Sequence, residues 1–573
     1  MTFSPPGTRR LLAAGLAILL TGCGGGGPEA TTGTPAGPPL VGRPTPPIPP
    51  DDPDQDFFVD ATADSGLDFV HRLGDGRMDN ILESIGAGGC LFDYDGDGRL
   101  DVYLVASAWK QGISRGPRPE PPMRNRLYRN LGDLRFADVT ERAGVGDEGF
   151  GFSAAAADFD GDGDTDLFVA NHGPNRLYRN RGDGTFEEVG GRLGLTGEAC
   201  TVQGVFFDAD GDGRLDLYEA NYLEYDPDYT AHYAPDVFPG PLAYAAQPDR
   251  LWLQQPDGSF RDATADSGLN VPPGRAMGVS TADFDGDGRL DLFVANDGTP
   301  NFLFLAEGGG RFREAALEAG VAFGVHGEAT AAMAGAVGDF DGDGLPDLSV
   351  TDTAYGSLYR NLGGGLFEDR VIAAGVAAAS AQRVSWGGGF LDFDLDGDLD
   401  LYLANGDLHH PTGRADLLLA NDGGSFTDVS PTAGAWFRTE LLSRGGLIGD
   451  LDDDGAPDLV ITCIEDRAVL LHNRVVGGDR SWIGFQLQAA SPPREAYGAR
   501  VEVVADGRSR SRTCRPACSY LGQGDPRLCF GLGSAASVDS VRVVWPDGRV
   551  ESFPGLTPGR YHLLVEGRGE AGE

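Results

Sequence analysis

Positive charge, catalytic fingerprints and long apolar runs are all scarce in this chain of 573 residues. Its formal net charge of −42 at pH 7 gives no basic surface that would seek a nucleic acid backbone. No GxSxG, HExxH, Walker or dinucleotide-binding fingerprint occurs, and the seven cysteines form no CxxC metal pattern. These absences argue against a nucleic-acid-binding protein and give no support to the enzyme classes that those fingerprints mark.

The acidic residues are concentrated in a nine-residue motif that the chain repeats seven times. One copy reads Asp283-Phe-Asp285-Gly-Asp287-Gly-Arg-Leu-Asp291, and the others begin at Asp93, Asp158, Asp208, Asp339, Asp392 and Asp450. Asp always stands at places 1, 3, 5 and 9 of the motif, and Gly always stands at place 6. Carboxylates this close repel one another unless a cation lies among them, and hard oxygen ligands at alternate positions suit calcium. A strand follows at once, whereas an EF-hand loop would close with Glu at its twelfth place and lie between helices.

The residue at place 7 varies, which predicts that its backbone carbonyl is the ligand there. Solvated hairpin turns without metal are the alternative for any single copy, but seven copies in register favour about seven calcium ions that mainly stabilise the fold. The predicted ligands, at places 1, 3, 5, 7 and 9, are Asp93, Asp95, Asp97, Arg99, Asp101, Asp158, Asp160, Asp162, Asp164, Asp166, Asp208, Asp210, Asp212, Arg214, Asp216, Asp283, Asp285, Asp287, Arg289, Asp291, Asp339, Asp341, Asp343, Leu345, Asp347, Asp392, Asp394, Asp396, Asp398, Asp400, Asp450, Asp452, Asp454, Ala456 and Asp458.

Hairpin patterns alternate with the acidic loops and predict an all-β repeat. One unit reads as strand A (279–284), acidic loop, strand B (292–295), strand C (301–305), turn and strand D (311–315). The last loop is followed by strands B and C only, while Phe58-Val-Asp60 precedes the first loop and resembles a strand D. A ring in which the first strand completes the last unit explains both ends, because closure removes exposed sheet edges. The sequence therefore predicts a seven-bladed β-propeller, with the small residues of strand A at its crowded axis.

Because successive strands run in opposite directions, the connections between them lie alternately on two faces of the ring. The acidic A–B loops and the C–D turns lie on one face, and all the long connections lie on the other, which we expect to carry function. His232, Tyr233 and Tyr244 belong to one long insert that forms either a ligand-binding lid or a self-packed loop. Eight other residues on this face are expected to line a polar pocket over the central channel, and the alternative is that they are scattered loop residues and ion pairs. They are His71, Glu83, Arg383, His409, His410, Arg438, Glu440 and Arg444.

The N-terminus reads as a targeting segment, with Arg9 and Arg10 before the apolar run 11–20. That run is too short to span a membrane as a mature helix. Leu20-Thr-Gly-Cys23 resembles the bacterial lipoprotein cleavage box, which implies lipidation of Cys23, whereas a plain secretory signal is the alternative. Residues 24–56, rich in Gly, Pro and Thr, predict a tether. We expect export to the cell envelope, where disulfides are permitted, and we expect one disulfide among Cys514, Cys518 and Cys529, whose pairing the sequence leaves open.

The acidic loop followed by a strand and Phe-x-Asp resembles the FG-GAP/VCBS repeat of integrin α propellers, over residues 57 to about 473. Leu395 and Asp453 depart from it, since they replace glycine at place 4 of the sixth and seventh loops. From 474 to 567, Tyr497-Gly-Ala-Arg-Val501, Tyr520-Leu-Gly-Gln523 and Val544-Trp-Pro-Asp-Gly548 resemble the ASPIC/UnbV domain, which implies a small β-rich unit before a tail at 568–573. The pairing is similar to the bacterial cartilage-acidic-protein-like family, and that resemblance implies an exported calcium-binding propeller.

Two functions are compatible with this organisation. The first is a lipid-anchored binding module that presents its loop-rich face to a protein or a polysaccharide. The second is an enzyme with its site over the channel on the same face, acting on an exported polymer or a small molecule. We expect no nucleic acid partner, and contact with a membrane only through the N-terminal lipid.

Overall fold

Seven antiparallel sheets form a closed ring in the computed structural model of the protein, which describes residues 56–73, 76–229, 238–408, 412–475, 480–516 and 519–572. Strands A of successive sheets lie side by side around the axis, and strand A of the last sheet lies beside that of the first. The all-β seven-bladed propeller predicted from the sequence is therefore confirmed. Within the described residues, no helix is both long enough and apolar enough to cross a membrane.

The first strand of the described chain, β1 (Phe58–Asp60), belongs to the last blade. Blades 1 to 3 contain β2 (Gly89–Phe92), β3 (Asp101–Leu104), β4 (Arg126–Asn130), β5 (Phe136–Asp138); β6 (Phe150–Ala157), β7 (Asp166–His172), β8 (Arg176–Asn180), β9 (Phe186–Glu188); and β10 (Thr201–Phe207), β11 (Asp216–Asn221), β14 (Arg250–Gln254), β15 (Phe260–Asp262). A separate hairpin in the blade 3 insert is formed by β12 (Leu223–Glu224) and β13 (Ala245–Ala246).

Blades 4 to 7 continue the same order of strands, so that each strand pairs with the next along the chain. They contain β16 (Ala276–Ala282), β17 (Asp291–Asn296), β18 (Phe302–Gly308), β19 (Arg311–Glu314); β20 (Gly335–Gly338), β21 (Asp347–Val350), β22 (Ser357–Asn361), β23 (Phe367–Asp369); β24 (Ser385–Leu391), β25 (Asp400–Asn405), β26 (Leu417–Asp422), β27 (Ser425–Asp428); and β28 (Ser443–Gly449), β29 (Asp458–Cys463), β30 (Val469–Asn473).

Short helices lie in the connections between blades and inside the first long loop. They are α1 (Thr62–Ser65), α2 (Ile81–Ile85), α3 (Thr140–Ala143), α4 (Ala316–Ala319), α5 (Val376–Ser380) and α6 (Ser430–Ala433), with 3₁₀ turns at Pro241–Ala243 and Trp436–Arg438. Asn80 caps α2, because its side-chain oxygen accepts the backbone N–H groups of Leu82 and Glu83. This cap fixes the helix that covers one end of the channel.

Strand β1 closes the ring by pairing antiparallel with β30, with Phe58 opposite Asn473 and Asp60 opposite Leu471. Phe58 is fully buried and packs against Phe393 and Phe437. Donation of the first strand to the last blade is therefore confirmed.

Small residues are required where the strands A crowd around the axis. Every residue of β6, including the alanine run 154–157, is buried. A Cβ on Gly204 in β10 would lie 2.4 Å from the ring of Phe168 in the neighbouring blade. The prediction that strand A lines the axis is confirmed by this packing.

The C-terminal region forms two further sheets and docks on the ring. Strands β31 (Ser481–Gln488), β35 (Leu528–Gly533) and β38 (Tyr561–Val565) make one sheet, and β32 (Arg500–Ala505), β33 (Arg508–Thr513), β36 (Ser540–Val544), β37 (Val550–Ser552) and β39 (Glu570–Ala571) make the other. Strand β39 lies in the segment 568–573, which was predicted to be a tail. Side chains of both sheets share a core with blades 2 and 3.

One segment of the C-terminal domain enters the central channel. Within this channel segment, Ser519–Asp525, the short strand β34 (Gly522–Gln523) pairs in parallel with β2 and gives blade 1 a fifth strand. Gly89 pairs with Gly522 and Cys90 pairs with Gln523. The domain is thus threaded through the propeller axis as well as packed on its face.

Candidate functional site

The carboxylate at place 1 organises each acidic loop. In the first loop, Oδ1 of Asp93 accepts the backbone N–H groups of Gly96 and Asp97 at 2.8 and 3.1 Å, and Oδ2 accepts that of Gly98 at 2.8 Å. Gly96 and Gly98 have φ angles of 71° and 88°, in the left-handed region that glycine adopts without strain. Asp158, Asp208 and Asp283 accept the same three hydrogen bonds in their own loops.

The carboxylate at place 9 is buried beneath the loop. Asp101 has no exposed surface and accepts the backbone N–H groups of Tyr94 and Asn130 at 2.9 and 2.7 Å. Burial, reinforced by the charges of Asp93 and Asp95, raises the pKa of Asp101 to about 8. The pKa of Asp166 is raised to about 9 and that of Asp291 to about 8 for the same reasons. A divalent cation in the loop would favour the ionised form and offset this cost of burial.

Carboxylates from places 1, 3 and 9 converge in the loops. Ligand oxygens lie within 4.8 Å of one another in four sets: Asp93, Asp95, Asp101; Asp158, Asp160, Asp166; Asp208, Asp210, Asp216; and Asp283, Asp285, Asp291. Clustered carboxylate oxygens are the donor set that calcium takes, so the residues fit the predicted ion. At place 7, the guanidinium groups of Arg99, Arg214 and Arg289 contact the place 5 carboxylate of their own loop.

The two loops that depart from the repeat meet the C-terminal domain. Leu395 and Asp453 have φ angles of 57° and 60°, where the other loops have glycine at place 4. Leu395 is fully buried against Trp482, and Asp453 pairs with Arg527 at 2.6 Å. Contact with the docked domain therefore holds two residues in a backbone conformation that is unfavourable for them. These substitutions are the sequence signal that could have located the docking surface.

Polar contacts extend the docking surface across the acidic loops. Arg512 lies 3.4 Å from the carboxylate of Asp392, and the Tyr561 hydroxyl donates to Oδ2 of Asp450 at 2.9 Å. Arg510 donates to the backbone carbonyl of Asp396 at 3.2 Å. The C-terminal domain thus covers part of the face of the ring that carries the acidic loops.

A cavity of about 740 Å³ remains between the docked domain and the loops of blades 3 to 7. Asp283 and Asp339 line it from the ring, and Arg500 and Tyr561 line it from the domain. Ions held by those loops would face this cavity. Sequence reasoning missed it, because no local pattern shows where the C-terminal domain docks.

The channel segment fills the axis of the ring. Gln523 accepts the backbone N–H of Ala156 at 2.9 Å and donates to its carbonyl at 2.9 Å. Tyr520 is fully buried, donates to the carbonyl of Ile85 and lies 5.5 Å from the ring of Trp386. The channel is therefore occupied through to the end opposite the acidic loops.

Three of the residues predicted to line an open pocket are buried at that end. Arg444 has no exposed surface, its guanidinium lies 4.0 Å from the ring of Trp386, and its Nε donates to the carbonyl of Ser84 at 2.8 Å. Glu83 is buried in α2 and accepts the backbone N–H of Asp79 at 2.8 Å. His71 is 2% exposed, and burial lowers its pKa to about 4. These residues are packed together by the fold and present no open polar pocket.

The other predicted residues that the structure describes on this face lie apart from the packed end of the channel. Arg383 donates to the carbonyl of Ala415 at 2.7 Å, Arg438 pairs with Asp56 at 3.5 Å, and Glu440 is exposed. His409 and His410 lie outside the described residues. The structure does not bring Arg383, Arg438 and Glu440 into one site with His71, Glu83 and Arg444.

The aromatic insert of blade 3 packs largely on itself where it is described. Tyr244 is buried, and its ring lies 5.5 Å from Tyr225 and 5.7 Å from Tyr229. His232 and Tyr233 lie outside the described residues. For Tyr244, this packing favours the self-packed loop over the lid.

Five cysteines in the described part of the chain are free thiols: Cys90, Cys200, Cys463, Cys514 and Cys529. A bond between Cys514 and Cys529 is therefore not formed. Cys23 and Cys518 lie outside the described residues.

Two family models match the chain. The model described as FG-GAP-like repeat matches residues 93–169, 158–219, 234–294, 283–350 and 339–403. The model described as ASPIC and UnbV matches residues 489–571. The matches fall on the blades with acidic loops and on the docked C-terminal domain.

Curated relatives share the sequence over about half of the chain. Cartilage acidic protein 1 of Mus musculus is 28% identical over 348 residues, which cover 56% of this chain and 50% of the relative. Cartilage acidic protein 1 of Homo sapiens is 27% identical over 332 residues, which cover 53% and 47%. The chain spans about half the length of the curated relatives it matches.

Solved structures are less similar. An Agrocybe aegerita lectin, described for recognition of non-reducing terminal N-acetylglucosamine, is 18% identical, with 59% of this chain and 78% of that chain covered. The TM-score is 0.35.

Proposed function

The chain belongs to the FG-GAP-like repeat family and carries an ASPIC and UnbV domain, and from this premise we propose that it is a calcium-loaded binding module. Its partner is a protein or a polysaccharide, which it contacts through the face opposite the acidic loops. The calcium ions have a structural role, and seven of them would reduce the formal charge from −42 to −28.

The observation that carries this proposal is the position of the C-terminal domain. Its contacts with Asp392, Asp396, Asp450 and Asp453 cover part of the acidic-loop face. The long connections lie on the other face, where 226–229 and 326–329 are exposed. Loops on a rigid scaffold are the usual place for recognition, which supports a partner on this face.

The residues that fill the central channel form a rigid support for the long connections. Tyr520 and Arg444 fill its end beneath the long connections, so recognition uses the surface of the connections instead of a pocket in the axis. This arrangement favours a partner with an extended surface, because the described residues at the channel end pack against one another.

An array of glycans and peptides, probed with purified protein in millimolar calcium, tests the proposal. Leu242 is 57% exposed in the blade 3 insert, and Leu362 is 54% exposed in a C–D turn on the acidic-loop face. We expect Leu242→Arg to weaken binding at least tenfold and its matched control, Leu362→Arg, to leave binding unchanged. Loss of binding in Leu362→Arg alone would place the partner on the other face.

We also propose that the protein is exported and anchored to the cell envelope through a lipid on Cys23. The apolar run before a Leu-Thr-Gly-Cys sequence supports this. Metabolic labelling with a fatty acid should mark the wild-type chain and not Cys23→Ala. An unlabelled wild-type chain in the soluble periplasmic fraction would contradict the anchor.

A further inference from the structure

The cavity between the docked domain and the ring has the size of a small-molecule site. Its volume is about 740 Å³, within the range of pockets that enclose most of a ligand. Exposed residues are part of its lining, with Gly211 and Gly288 on the ring and Pro546 on the domain, so the cavity opens to solvent. A ligand can therefore enter without separation of the domain from the ring.

One face of the larger C-terminal sheet forms the wall of this cavity on the side of the domain. Arg500 in β32 lies directly opposite Thr513 in β33 and Val544 in β36. Residues directly opposite one another place their side chains on the same face, and Ser511 shares that face two positions before Thr513. All four residues line the cavity. The alternate residue Val501 is buried in the core on the other face, so the face that carries Arg500 is turned toward the cavity.

Three polar side chains on this wall keep hydrogen-bonding capacity for a ligand. Within the described part of the chain, the hydroxyl groups of Ser511 and Thr513 make no hydrogen bond, and Arg500 makes no ion pair. Arg500 makes one long hydrogen bond, from Nη1 to the carbonyl of Gly344 at 3.5 Å. Acidic residues outnumber basic ones by 87 to 45 in this chain, so the lack of a carboxylate beside Arg500 is not due to a shortage of acids. A guanidinium and two hydroxyls thus form a set of donors on one surface of the cavity.

Apolar side chains form much of the wall on the side of the ring. Leu290, Leu345, Phe390 and Ile448 line the cavity and are half-buried. Leu345 stands at place 7 of its acidic loop, where blades 1, 3 and 4 have arginine. A ligand that fills the cavity must therefore have an apolar body as well as a polar group for Arg500.

Aspartates of the acidic loops also line the cavity, but they are engaged within their own loops. Asp283 accepts three backbone N–H groups of its loop, and Asp339 accepts two. The calcium proposed for these loops would offset their charge further. Neither aspartate forms an ion pair with Arg500, so the guanidinium remains available to an anion from solvent.

We propose that this cavity binds an organic carboxylate with an apolar body, and that Arg500, Ser511 and Thr513 hold its carboxylate group. A guanidinium matches a carboxylate through two parallel hydrogen bonds, and a hydroxyl donates to the same oxygens. A monoanion fits better than a dianionic phosphate, because a second negative charge would be repelled by the aspartates of the loops. The site lies on the face opposite the proposed partner surface, so the two are tested independently.

The test is calorimetric titration of the full chain, in millimolar calcium, with octanoate and naphthoate and with the neutral analogues octanol and naphthyl methanol. We expect one equivalent of each carboxylate with a dissociation constant below about 1 mM, and weaker binding of each alcohol. Arg500→Met should weaken carboxylate binding roughly 10- to 100-fold and leave alcohol binding unchanged. Arg500→Lys, which keeps the charge without the paired donors, should retain part of the affinity. Thr513→Val should weaken carboxylate binding roughly threefold to tenfold.

Arg542→Met is the matched control for this experiment. Arg542 lies on the same face of the sheet, opposite Glu502, and pairs with that residue at 3.7 Å outside the lining of the cavity. This variant should bind the carboxylates as the wild type does, and all variants should melt at the wild-type temperature. The proposal is overturned if the wild type binds no carboxylate more tightly than its alcohol, or if the Arg500 and Arg542 variants lose affinity equally. Tighter binding of inorganic phosphate than of octanoate would overturn it as well.

Discussion

His71 shows how this fold keeps an ionisable side chain away from water. Its imidazole is 2% exposed and lies near Arg444. Burial lowers its pKa from 6.5 to about 4, and the charge of Arg444 acts in the same direction. The neutral imidazole is therefore part of the packed end of the channel, and protonation would place a second positive charge beside Arg444.

The free energy of unfolding should therefore decrease as the pH is lowered through the range in which His71 titrates. Because the folded pKa of about 4 is below the unfolded 6.5, the folded state binds fewer protons in this window, and stability is lost as pH falls from 6.5 to 4. Relative to His71→Met, the wild type should lose up to about 3 kcal/mol between pH 7.5 and pH 4. Urea unfolding across this range measures the difference.

The control for this prediction is His326→Gln, which changes an exposed imidazole. It should show the same pH dependence as the wild type. Parallel profiles for the wild type and His71→Met would show that His71 does not titrate differently in the folded state.

The sequence predicted where the acidic loops lie but not what surrounds them. The spacing of Asp93, Asp95 and Asp101 is local, and the loop closes on itself through hydrogen bonds to neighbouring backbone. His71 and Glu83 were expected at an open pocket, yet they are buried at an end of the channel that Tyr520 fills, a residue more than four hundred positions away in the chain. Local patterns carry no information about such contacts.

Strand β1 is the element on which closure of the ring depends. It contributes Phe58 to a core with Phe393 and Phe437, and its backbone pairs with β30. Without this strand, β30 would present an unpaired edge at the outer side of blade 7.

Truncation of Phe58 tests closure by β1. Phe58→Ala should lower the free energy of unfolding by about 3 to 5 kcal/mol, because it leaves a cavity at a fully buried position. Leu317→Ala, at a residue that is 72% exposed, is the matched control and should change stability by less than about 0.5 kcal/mol. An equal, small effect of both variants would show that the first strand is dispensable. Urea unfolding monitored by tryptophan fluorescence gives the values.

The channel segment is the second element whose loss should destabilise the whole ring. Gln523 accepts the N–H of Ala156 and donates to its carbonyl, which also accepts the Tyr497 hydroxyl at 3.2 Å, so Gln523→Ala would leave the buried N–H without its partner. We expect a loss of about 1 to 3 kcal/mol in urea unfolding. Gln255→Ala, which removes one hydrogen bond of a half-buried glutamine, should cost much less. If the two variants are equally stable, the channel segment contributes little.

The blades were predictable and the channel segment was not, for a physical reason. Each blade is a set of hairpins between neighbours in sequence, so alternating residues and turn glycines indicate its strands. Strand β34 consists of Gly522 and Gln523 alone and pairs in parallel with a strand of blade 1. A two-residue strand with a distant partner leaves no periodic pattern.

At the level of the molecule, we expect the propeller and the C-terminal domain to unfold as one cooperative unit. They share a hydrophobic core, and the channel segment passes through the axis. Trp482 packs on Leu395 and Ala456 of the ring, so the domain cannot unfold without exposing buried surface of two blades. Calorimetry should therefore show one transition, and Trp482→Ala should lower its temperature without splitting it. A separate early transition that contains only C-terminal strands would contradict this.

Calcium removal tests every blade of the ring, because each acidic loop has its own buried carboxylate at place 9. An ion present at about 100 times its dissociation constant adds roughly 2.7 kcal/mol per site to the folded state. Chelation should therefore lower the melting temperature markedly, and added calcium should restore it. Asp291→Asn removes a place 9 carboxylate from the loop of blade 4 and should reduce the calcium-dependent gain by about one site, whereas Asp428→Asn, an exposed aspartate on β27, should leave the gain unchanged. An identical melt with and without calcium would refute the metal assignment, since the buried charge of the loops would then be stabilised by the protein alone.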